Sequence, residues 1–168
     1  MTSYNVFIGL GANMGDRFTY LKRAVDALKA IRETSVIWIS SIYEAEPWGK
    51  KEQPKFLNAA AQLTTALDPP ALLTELKRIE QELGRVHHDH WGPREIDLDI
   101  LVYDGVVHEE PDVHVPHSEL AGRRFALVPL REIAPDLVHP VSGLTVTEMA
   151  AACADQGRVV QTPYHIPL

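Results

Sequence analysis

Two aspartates close together in an apolar stretch are the residues of this chain best placed to do chemistry. Asp97 and Asp99 lie in the run 96–103, which is predicted to be a buried strand. Because side chains alternate along a strand, both carboxylates should point to one face, roughly 6.6 Å apart. The residues expected on the other face are Leu98, Ile100 and Val102. Carboxylates this close repel each other, and a hard divalent cation such as Mg²⁺ relieves that repulsion.

A basic residue directly upstream extends this pattern towards phosphate binding. Arg94 ends the segment Trp91-Gly92-Pro93-Arg94, and its guanidinium is suited to pair with a phosphate. Mg²⁺ in proteins is commonly held by a few carboxylates together with substrate phosphates. The alternative is a strand whose polar face meets solvent, which two aspartates without further context allow equally well. The tryptophan, the Gly-Pro turn and the arginine together favour a metal–phosphate site.

The composition indicates an ordinary globular protein. The chain has 168 residues, of which 45% are hydrophobic and 23% charged. We expect one domain over residues 1–168, with an irregular tail from about residue 161, where prolines interrupt regular structure. One cysteine, Cys153, excludes an internal disulfide. With no apolar run of membrane-spanning length and no secretory signal, a cytoplasmic location is expected.

The charge of the chain limits its partners. A net charge of -7 argues against a broad nucleic-acid surface, and no membrane partner is expected. A nucleotide ligand needs only a local cluster of positive charge, and four arginines lie in one half of the chain. They are Arg85, Arg94, Arg123 and Arg124. Small-molecule substrates are therefore the expected partners of a monomer, with a weak dimer as the alternative.

Hydrophobic periodicity predicts the order β-α-β-β-α-β. The predicted strands are 4–10, 36–43, 56–67 and 96–103, and Asp16 and Asp68 are expected to cap the two helices. Asp104-Gly105 signals a hairpin turn, and a further helix is predicted over 125–133. This order is typical of the ferredoxin-like fold, an α+β architecture with helices packed on an antiparallel sheet. A C-terminal hairpin strand and extra helices are expected to follow it.

Two other patterns have competing interpretations. Gly9-x-Gly11-x-x-x-Gly15 is similar to a dinucleotide fingerprint, but its third glycine comes one residue late, so a tight turn is favoured. A histidine-rich loop suggests a zinc or nickel site, although ligands this close in sequence need distant help to complete one. The loop residues are His87, His88, Asp89 and His90, with His108, His114 and His117 as distant candidates. Solvated loop histidines are the favoured interpretation.

Asn58 is the polar residue least easily explained as structural. It lies inside the apolar segment 56–61, where a half-buried amide needs hydrogen-bond partners. The same amide could donate to and accept from a heterocycle. Phe56 and Phe125, by themselves, are most simply core residues.

Six segments spread over nearly the whole chain carry a resemblance to a known family. The central one runs from Arg85 through Trp91-Gly92-Pro93-Arg94 to Ile96-Asp97-Leu98-Asp99-Ile100-Leu101. The others are Ile8-Gly9-Leu10-Gly11-Ala12-Asn13, Ser40-Ser41-Ile42-Tyr43, Gln53-Pro54-x-Phe56-Leu57-Asn58-Ala59-Ala60, Val115-Pro116-His117 and Arg124-Phe125-Ala126-Leu127-x-Pro129-Leu130. In this order they resemble the signature of the 6-hydroxymethyl-7,8-dihydropterin pyrophosphokinase family. The resemblance implies a ferredoxin-like fold and transfer of pyrophosphate from ATP to the pterin hydroxymethyl group, giving AMP and the pterin diphosphate for folate biosynthesis.

The resemblance also implies roles for individual residues. Two Mg²⁺ ions would be bound by Asp97 and Asp99, which with Arg94 and Arg123 form the catalytic set. The implied pterin-binding residues are Ala45, Glu46, Trp48, Phe56, Asn58, Trp91 and Phe125. The implied ATP-binding residues are Lys77, His87, His90, Trp91, Arg94, Ile100, His117 and Arg123.

This chain departs from the family pattern near the nucleotide. The family usually has arginines where this chain has His87 and His90, and imidazoles with an ordinary pKa of about 6.5 neutralise phosphate less well at pH 7. Asp112 and His114 replace residues that are commonly basic or hydroxylated. Ser118 stands where a larger side chain is frequent.

Two other classes of protein remain open at this point. A ferredoxin-like module that binds a small effector would explain the fold, but not Asp97 and Asp99 beside Arg94. A histidine-rich metal-binding protein would explain the loop, but not Asn58 between aromatic positions.

Overall fold

In the computed structural model, which describes residues 2–47, 52–84 and 95–168, the chain forms a six-stranded sheet with helices packed on it. The elements before the gap at 85–94 are β1 (Tyr4–Ala12), α1 (Arg17–Lys29), β2 (Thr34–Ile39), β3 (Tyr43–Ala45), β4 (Phe56–Thr65) and α2 (Pro69–Glu82). Those after it are β5 (Asp97–Tyr103), β6 (His108–Glu110), β7 (Val113–Val115), a 3-10 turn (Leu120–Gly122), α3 (Arg124–Ile133), α4 (Val146–Ala152) and β8 (Val159–Gln161).

The order of strands confirms the predicted ferredoxin-like fold. The sheet runs β5-β1-β4-β3-β8, and β2 pairs with β4 beyond the end of β3. The pairs formed by β1 with β4 and β5, and by β4 with β2 and β3, are all antiparallel. The central strand β1 is therefore flanked by antiparallel partners on both sides, which excludes the dinucleotide-binding interpretation of its glycines, since that fold needs a parallel unit.

Helices cover both faces of the sheet. On one face, α1 and α2 bury their apolar stripes against β1 and β4. On the other face, Leu127 and Leu130 of α3 pack with Phe7 and Leu101. Each fully buried leucine contributes about 2 kcal/mol relative to an exposed one. The face covered by α3 is the one that carries the candidate site.

The predicted helix starts are confirmed at both capping aspartates. Asp16 accepts a hydrogen bond from Thr19 N at 3.1 Å, and Asp68 accepts one from Ala71 N at 3.0 Å. The hydrogen bonds from Thr19 lower the pKa of Asp16. Each carboxylate accepts a hydrogen bond from an N–H group that has no partner within the helix. Short polar residues are preferred at this position, so the start of each helix could be predicted from the sequence.

The predicted strand 36–43 is wrong as a single element, because it is divided into β2 and β3. Between them, the Ser40 hydroxyl accepts a hydrogen bond from Ala60 N at 2.9 Å. This side-chain hydrogen bond replaces a backbone hydrogen bond between strands. Both β2 and β3 still pair with β4. The tertiary contact of Ser40 thus interrupts a run that has continuous strand propensity.

The hairpin predicted at Asp104-Gly105 is wrong, because the turn forms there but the hairpin forms only at the next turn, between β6 and β7. Asp104-Gly105 does form a turn, in which Val106 N donates to Tyr103 O at 3.0 Å. The strand that follows, β6, pairs with β7 instead of returning along β5. The outer edge of β5 is already occupied, since Leu98 N donates to Glu80 and Leu101 O accepts from His117 N. Because of these hydrogen bonds, β6 does not pair with this edge of β5.

The C-terminal segment adds a strand that the sequence did not predict. β8 pairs with β3, with Val159 opposite Ala45 and Gln161 opposite Tyr43. Residues 162–168 contain no helix or strand but are fastened to the fold. Thr162 N donates to Ile42 O at 2.9 Å, and the ring of Tyr164 stacks on Phe18 at 4.6 Å.

Candidate active site

The register of the sheet brings the two aspartates and Asn58 onto one face. Asp97 lies opposite Gly11 of β1, and Gly11 lies opposite Asn58 of β4. In the next row, Asp99 lies opposite Gly9. Paired residues of adjacent strands share a face, and strands are about 4.8 Å apart, so the backbones of Asp97 and Asn58 are separated by roughly 10 Å. The predicted orientation of both carboxylates to one side is therefore confirmed.

The predicted position of Val102 on the opposite face from the aspartates is wrong. A bulge at Leu101 shifts the register between β1 and β5, so that Val102 pairs with Phe7. Both Leu101 and Val102 consequently lie in the same apolar cluster. A bulge adds one residue to one strand and inverts the alternation beyond it, which no local pattern in the sequence signals.

Two glycines of β1, between the carboxylates and the amide, allow neighbouring side chains to lie close to the backbone. A Cβ at Gly11 would lie 2.8 Å from Nδ2 of Asn58, and a Cβ at Gly9 would lie 3.3 Å from Cδ2 of Leu101. Real Cβ atoms do not approach other atoms as closely as the first of these distances. The absence of side chains at these positions lets the Asn58 amide and the Leu101 side chain lie directly against the backbone of β1.

We predict that Gly11→Ala weakens pterin binding through Asn58. The new methyl group must displace the Asn58 amide, and such overpacking costs about 1–3 kcal/mol of folding stability. The measurements are urea unfolding and the KM for the pterin. The control is Gly122→Ala, because a Cβ at this position would meet no atom within 4 Å. Gly105→Ala is not suitable, since Gly105 has a φ of 74°, which strains any residue that carries a Cβ. An unchanged KM for the pterin in Gly11→Ala would contradict this role.

The electrostatics of the pair explain why it suits a cation. Burial and the charge of Asp97 raise the pKa of Asp99 to about 7, with the charge of Arg123 acting in the opposite direction. Asp97 and Asp99 are each partly exposed, so a ligand on this face can reach them. Two carboxylates that resist simultaneous ionisation are stabilised by a divalent cation.

This pKa shift gives a prediction for the metal-free protein. The unfolded chain loses the Asp99 proton near pH 4 and the folded chain only near pH 7, so ionisation lowers the free energy of unfolding as pH rises between these values. Asp99→Asn should therefore stabilise the protein more at pH 8 than at pH 5, by about 1–2 kcal/mol after allowance for solvent screening. Urea unfolding in EDTA measures the difference.

The control for this experiment is Asp104→Asn, at an exposed turn that follows β5. It removes a carboxylate that lies outside the pair, so its effect is the reference for that of Asp99→Asn. If the stability difference between Asp99→Asn and the unsubstituted protein did not grow with pH, Asp99 would not carry a raised pKa.

Glu80 of α2 is a functional candidate that the sequence analysis missed. Its side chain is 3% exposed, and its Oε2 accepts a hydrogen bond of 2.8 Å from Leu98 N, between the two aspartates. Lys77, an expected nucleotide contact, lies 3.4 Å from Oε1 of Glu80. A carboxylate in the apolar stripe of α2, next to Ile79 and four residues after Leu76, was the available signal. The contact fixes the outer edge of β5 and so helps to orient the pair.

Asn58 has a hydrogen-bond acceptor that none of the described residues uses. The side chain is 6% exposed, and its Nδ2 reaches Leu10 O at 3.4 Å, a long hydrogen bond. Its Oδ1 is buried with no hydrogen-bond partner among the residues that the structure describes. Leaving a buried acceptor unsatisfied costs about 1–3 kcal/mol, which a ligand that donates to it would recover.

Asn13 and Arg17 fasten the segment that leads into β4, a role that the sequence analysis also missed. Nδ2 of Asn13 donates to Gln53 Oε1 at 2.8 Å and to Pro54 O at 2.9 Å. Nη1 of Arg17 donates to Lys55 O and to Glu44 Oε2, both at 2.9 Å. The start of β4, and with it Phe56, is thereby fixed to the end of β1.

The remaining described pterin candidates gather at the end of β3 and at the start of α3. Ala45 pairs with Phe56 across the sheet. Ala45, Glu46 and Phe125 line one small cavity together with Pro47 and residues of the C-terminal segment. The structure thus brings Phe56, Asn58 and Phe125 to the same face, as the resemblance implied.

Of the described nucleotide candidates, His117 and Arg123 lie near the aspartates. Nδ1 of His117 accepts a hydrogen bond from Glu119 N at 3.1 Å, and burial and the charge of Arg123 lower the pKa of His117. Arg123 pairs with Glu119 at 2.6 Å and lies over the Phe125 ring at 5.8 Å. Ile100 is separate, since its side chain is buried in the core on the opposite face.

Five expected site residues lie outside the described residues: Trp48, His87, His90, Trp91 and Arg94. His88 and Asp89, from the alternative transition-metal site, lie outside them as well. Within residues 2–47, 52–84 and 95–168, no three histidine, cysteine or acidic side chains are grouped to hold a metal ion.

The fold and the site define a class of protein: a ferredoxin-like α+β protein with a carboxylate pair and a buried amide on one face of its sheet. Residues 7–135 match the family described as 7,8-dihydro-6-hydroxymethylpterin-pyrophosphokinase. The chain belongs to this family.

Two curated relatives with pyrophosphokinase names are similar in sequence to most of this chain. A protein of Aquifex aeolicus named 2-amino-4-hydroxy-6-hydroxymethyldihydropteridine pyrophosphokinase is 42% identical over 136 residues, which cover 81% of this chain and 84% of the relative. A protein of the same name from Haemophilus influenzae is 39% identical over 157 residues, covering 94% and 98%.

A solved structure agrees in fold. The crystal structure of Plasmodium falciparum HPPK-DHPS with pterin and p-hydroxybenzoate superposes with a TM-score of 0.70 over 90% of this chain, at 16% identity. This chain spans 42% of that longer chain. At this identity the likeness shows the fold.

Proposed function

We propose that this chain transfers the pyrophosphoryl group of ATP to the hydroxymethyl group of 6-hydroxymethyl-7,8-dihydropterin, producing AMP and the pterin diphosphate in folate biosynthesis (EC 2.7.6.3). The observation that carries the proposal is the placement of Asp97 and Asp99 on the same sheet face as Asn58, with Gly9 and Gly11 of β1 between them. The carboxylates of Asp97 and Asp99, on β5, suit a cation with phosphates. The amide of Asn58, on β4, suits a heterocycle that forms hydrogen bonds.

Asp97 and Asp99 would hold Mg²⁺, and we propose two ions. The residues fit the ion, because their oxygens are the ligands Mg²⁺ prefers and because burial beside a like charge raises the pKa of Asp99 to about 7. When bound, Mg²⁺ would neutralise the charge that phosphoryl transfer concentrates on the migrating group. Glu80, through Leu98 N, keeps the strand that carries both carboxylates in place.

The pterin would lie between Phe56 and Phe125, with Asn58 reading its polar edge. The unused Oδ1 of Asn58 would accept a hydrogen bond from the ring, and Nδ2 would exchange its long bond to Leu10 O for a better one. Aromatic faces add stacking of about 0.5–1.5 kcal/mol each. The backbone at Ala45 and Glu46, with Trp48 and Trp91, would complete this subsite.

The nucleotide would be held by cationic and polar groups on the other side of the aspartates. Arg123 and Arg94 would stabilise phosphate charge, and His117, neutral near pH 7 because burial lowers its pKa, would act as a hydrogen-bonding group. The other proposed ATP contacts are Lys77, His87, His90 and Trp91, and Ile100 would contribute only backbone atoms, because its side chain is buried on the opposite face of the sheet. We assign no residue as a general base.

The experiment that tests this function is an HPLC assay for AMP with ATP, Mg²⁺ and the pterin present, and with each omitted in turn. AMP that forms only in the full mixture, matched by pterin diphosphate, is the expected result. ADP as the product would mean single phosphoryl transfer or hydrolysis and would contradict the proposal.

Monomeric state and cytoplasmic location stay predictions. None of the helices in the described part of the chain combines the length and the apolar character needed to cross a bilayer.

A further inference from the structure

The first turn of α3 is capped from a distant part of the chain. α3 begins at Arg124, and the side chain of its N-cap residue, Arg123, makes no capping hydrogen bond. Oδ2 of Asp155 accepts a hydrogen bond from Arg124 N at 3.3 Å, and its Oδ1 accepts one from Gly157 N at 2.8 Å. A carboxylate here satisfies an N–H group that has no partner within the helix and interacts favourably with the helix dipole.

The segment that carries Asp155 is also joined to β3. Val159 pairs with Ala45 in the sheet, and Glu46 N donates to Arg158 O at 3.3 Å. Residues 155–159 therefore bridge the start of α3 and the end of β3. Members of this segment line one small cavity together with Phe125 and the residues 45–47.

We infer that Asp155 is a positioning residue for the pterin: it holds the first turn of α3, and with it the ring of Phe125, in fixed relation to the backbone at Ala45 and Glu46. The inference rests on the proposed function, which assigns both sides of this cavity to the pterin. Asp155 acts through Phe125, because its two carboxylate oxygens accept hydrogen bonds from Arg124 N and Gly157 N.

The effect should be confined to the first turn of α3. The rest of the helix is fixed by Leu127, Leu130 and Ile133, which are buried in the core. Asp155 itself is only partly buried, so its removal leaves no cavity in the core. Loss of the cap would loosen Phe125 without unfolding the helix, and a gap of about 1 Å between stacked rings forfeits up to about half of their contact energy.

The test compares Asp155→Ala with Asp155→Asn, which keeps one acceptor oxygen. Asp136→Ala is the matched control, since it removes an exposed aspartate beyond the other end of α3. For Asp155→Ala we expect the KM for the pterin to rise about 5- to 10-fold, with kcat and the KM for ATP changing less than about twofold. Asp155→Asn should recover most of the loss, and Asp136→Ala should match the unsubstituted protein.

Pterin binding by calorimetry and thermal unfolding complete the experiment. An unsubstituted protein that forms no AMP and binds no pterin would overturn the proposed function and this inference with it. An active protein whose KM for the pterin is unchanged in Asp155→Ala would overturn the inference and leave the proposed function standing. Equal rises in both KM values, or a large fall in Tm, would show a merely structural role and would also overturn the inference.

Discussion

Asp97→Asn and Asp99→Asn should each lower the rate of AMP formation by at least about a thousandfold while leaving the protein folded. Asparagine has the same shape as aspartate but lacks the charge, so each variant loses an anionic ligand for Mg²⁺ without disturbing the packing of β5. Asp99→Asn also removes the buried charge and its repulsion by Asp97, the two causes that raise the pKa of Asp99. The fold of that variant should therefore be at least as stable as that of the unsubstituted protein.

Three measurements separate loss of metal from loss of fold. The HPLC assay gives turnover, calorimetry gives Mg²⁺ affinity in the presence of a non-hydrolysable ATP analogue, and circular dichroism gives folded content. Asp104→Asn, just beyond β5, is the matched control and should keep normal turnover. Near-normal turnover in either Asp97→Asn or Asp99→Asn would end the proposal of two metal ions held by this pair.

Asn58→Ala should reduce kcat/KM for the pterin by about a hundredfold and leave the KM for ATP unchanged. The amide would make hydrogen bonds to the ring in a buried place where water cannot replace them, and losing them costs about 2–3 kcal/mol. Folding stability should change little, because the substitution also removes a buried acceptor that has no hydrogen-bond partner among the described residues.

Two further variants define the role of Asn58. Asn58→Asp keeps the shape and the acceptors but removes the donor, so a loss similar to that of Asn58→Ala would show that the pterin needs the N–H₂ group. Gln62→Ala, four residues along β4, removes an amide whose 3.3 Å hydrogen bond is to Asn5 and should be neutral. A normal KM for the pterin in Asn58→Ala would place the pterin elsewhere.

Local patterns were sufficient to predict the elements that form the ferredoxin-like unit. Asp16 and Asp68 mark their helices because a capping carboxylate acts within three residues. The alternation of 97–99 placed both carboxylates on one face, since that inference needs only the pleat of a strand. The functional proposal depends on these same short-range features, together with the resemblance of six segments to one family.

Features that depend on contacts between distant residues were not predictable in this way. The break at Ser40 depends on a bond to Ala60, and the displaced hairpin follows from the occupation of the edge of β5 by Glu80 and His117. The roles of Glu80 and Asp155 have the same origin. Each is an ordinary acidic residue in the sequence and acquires its role from a backbone N–H that the fold places beside it.

By itself, the sequence, with its resemblance to one family, determined which residues we propose for the chemistry of this protein: a carboxylate pair on a strand, an amide in an apolar segment and two aromatic rings. Only the tertiary structure decided that they share one face, because the registers of β1 with β4 and β5 align Asp97, Gly11 and Asn58 in a single row. Register is fixed by how complete strands pack against helices on both faces of the sheet, and no segment contains that information locally.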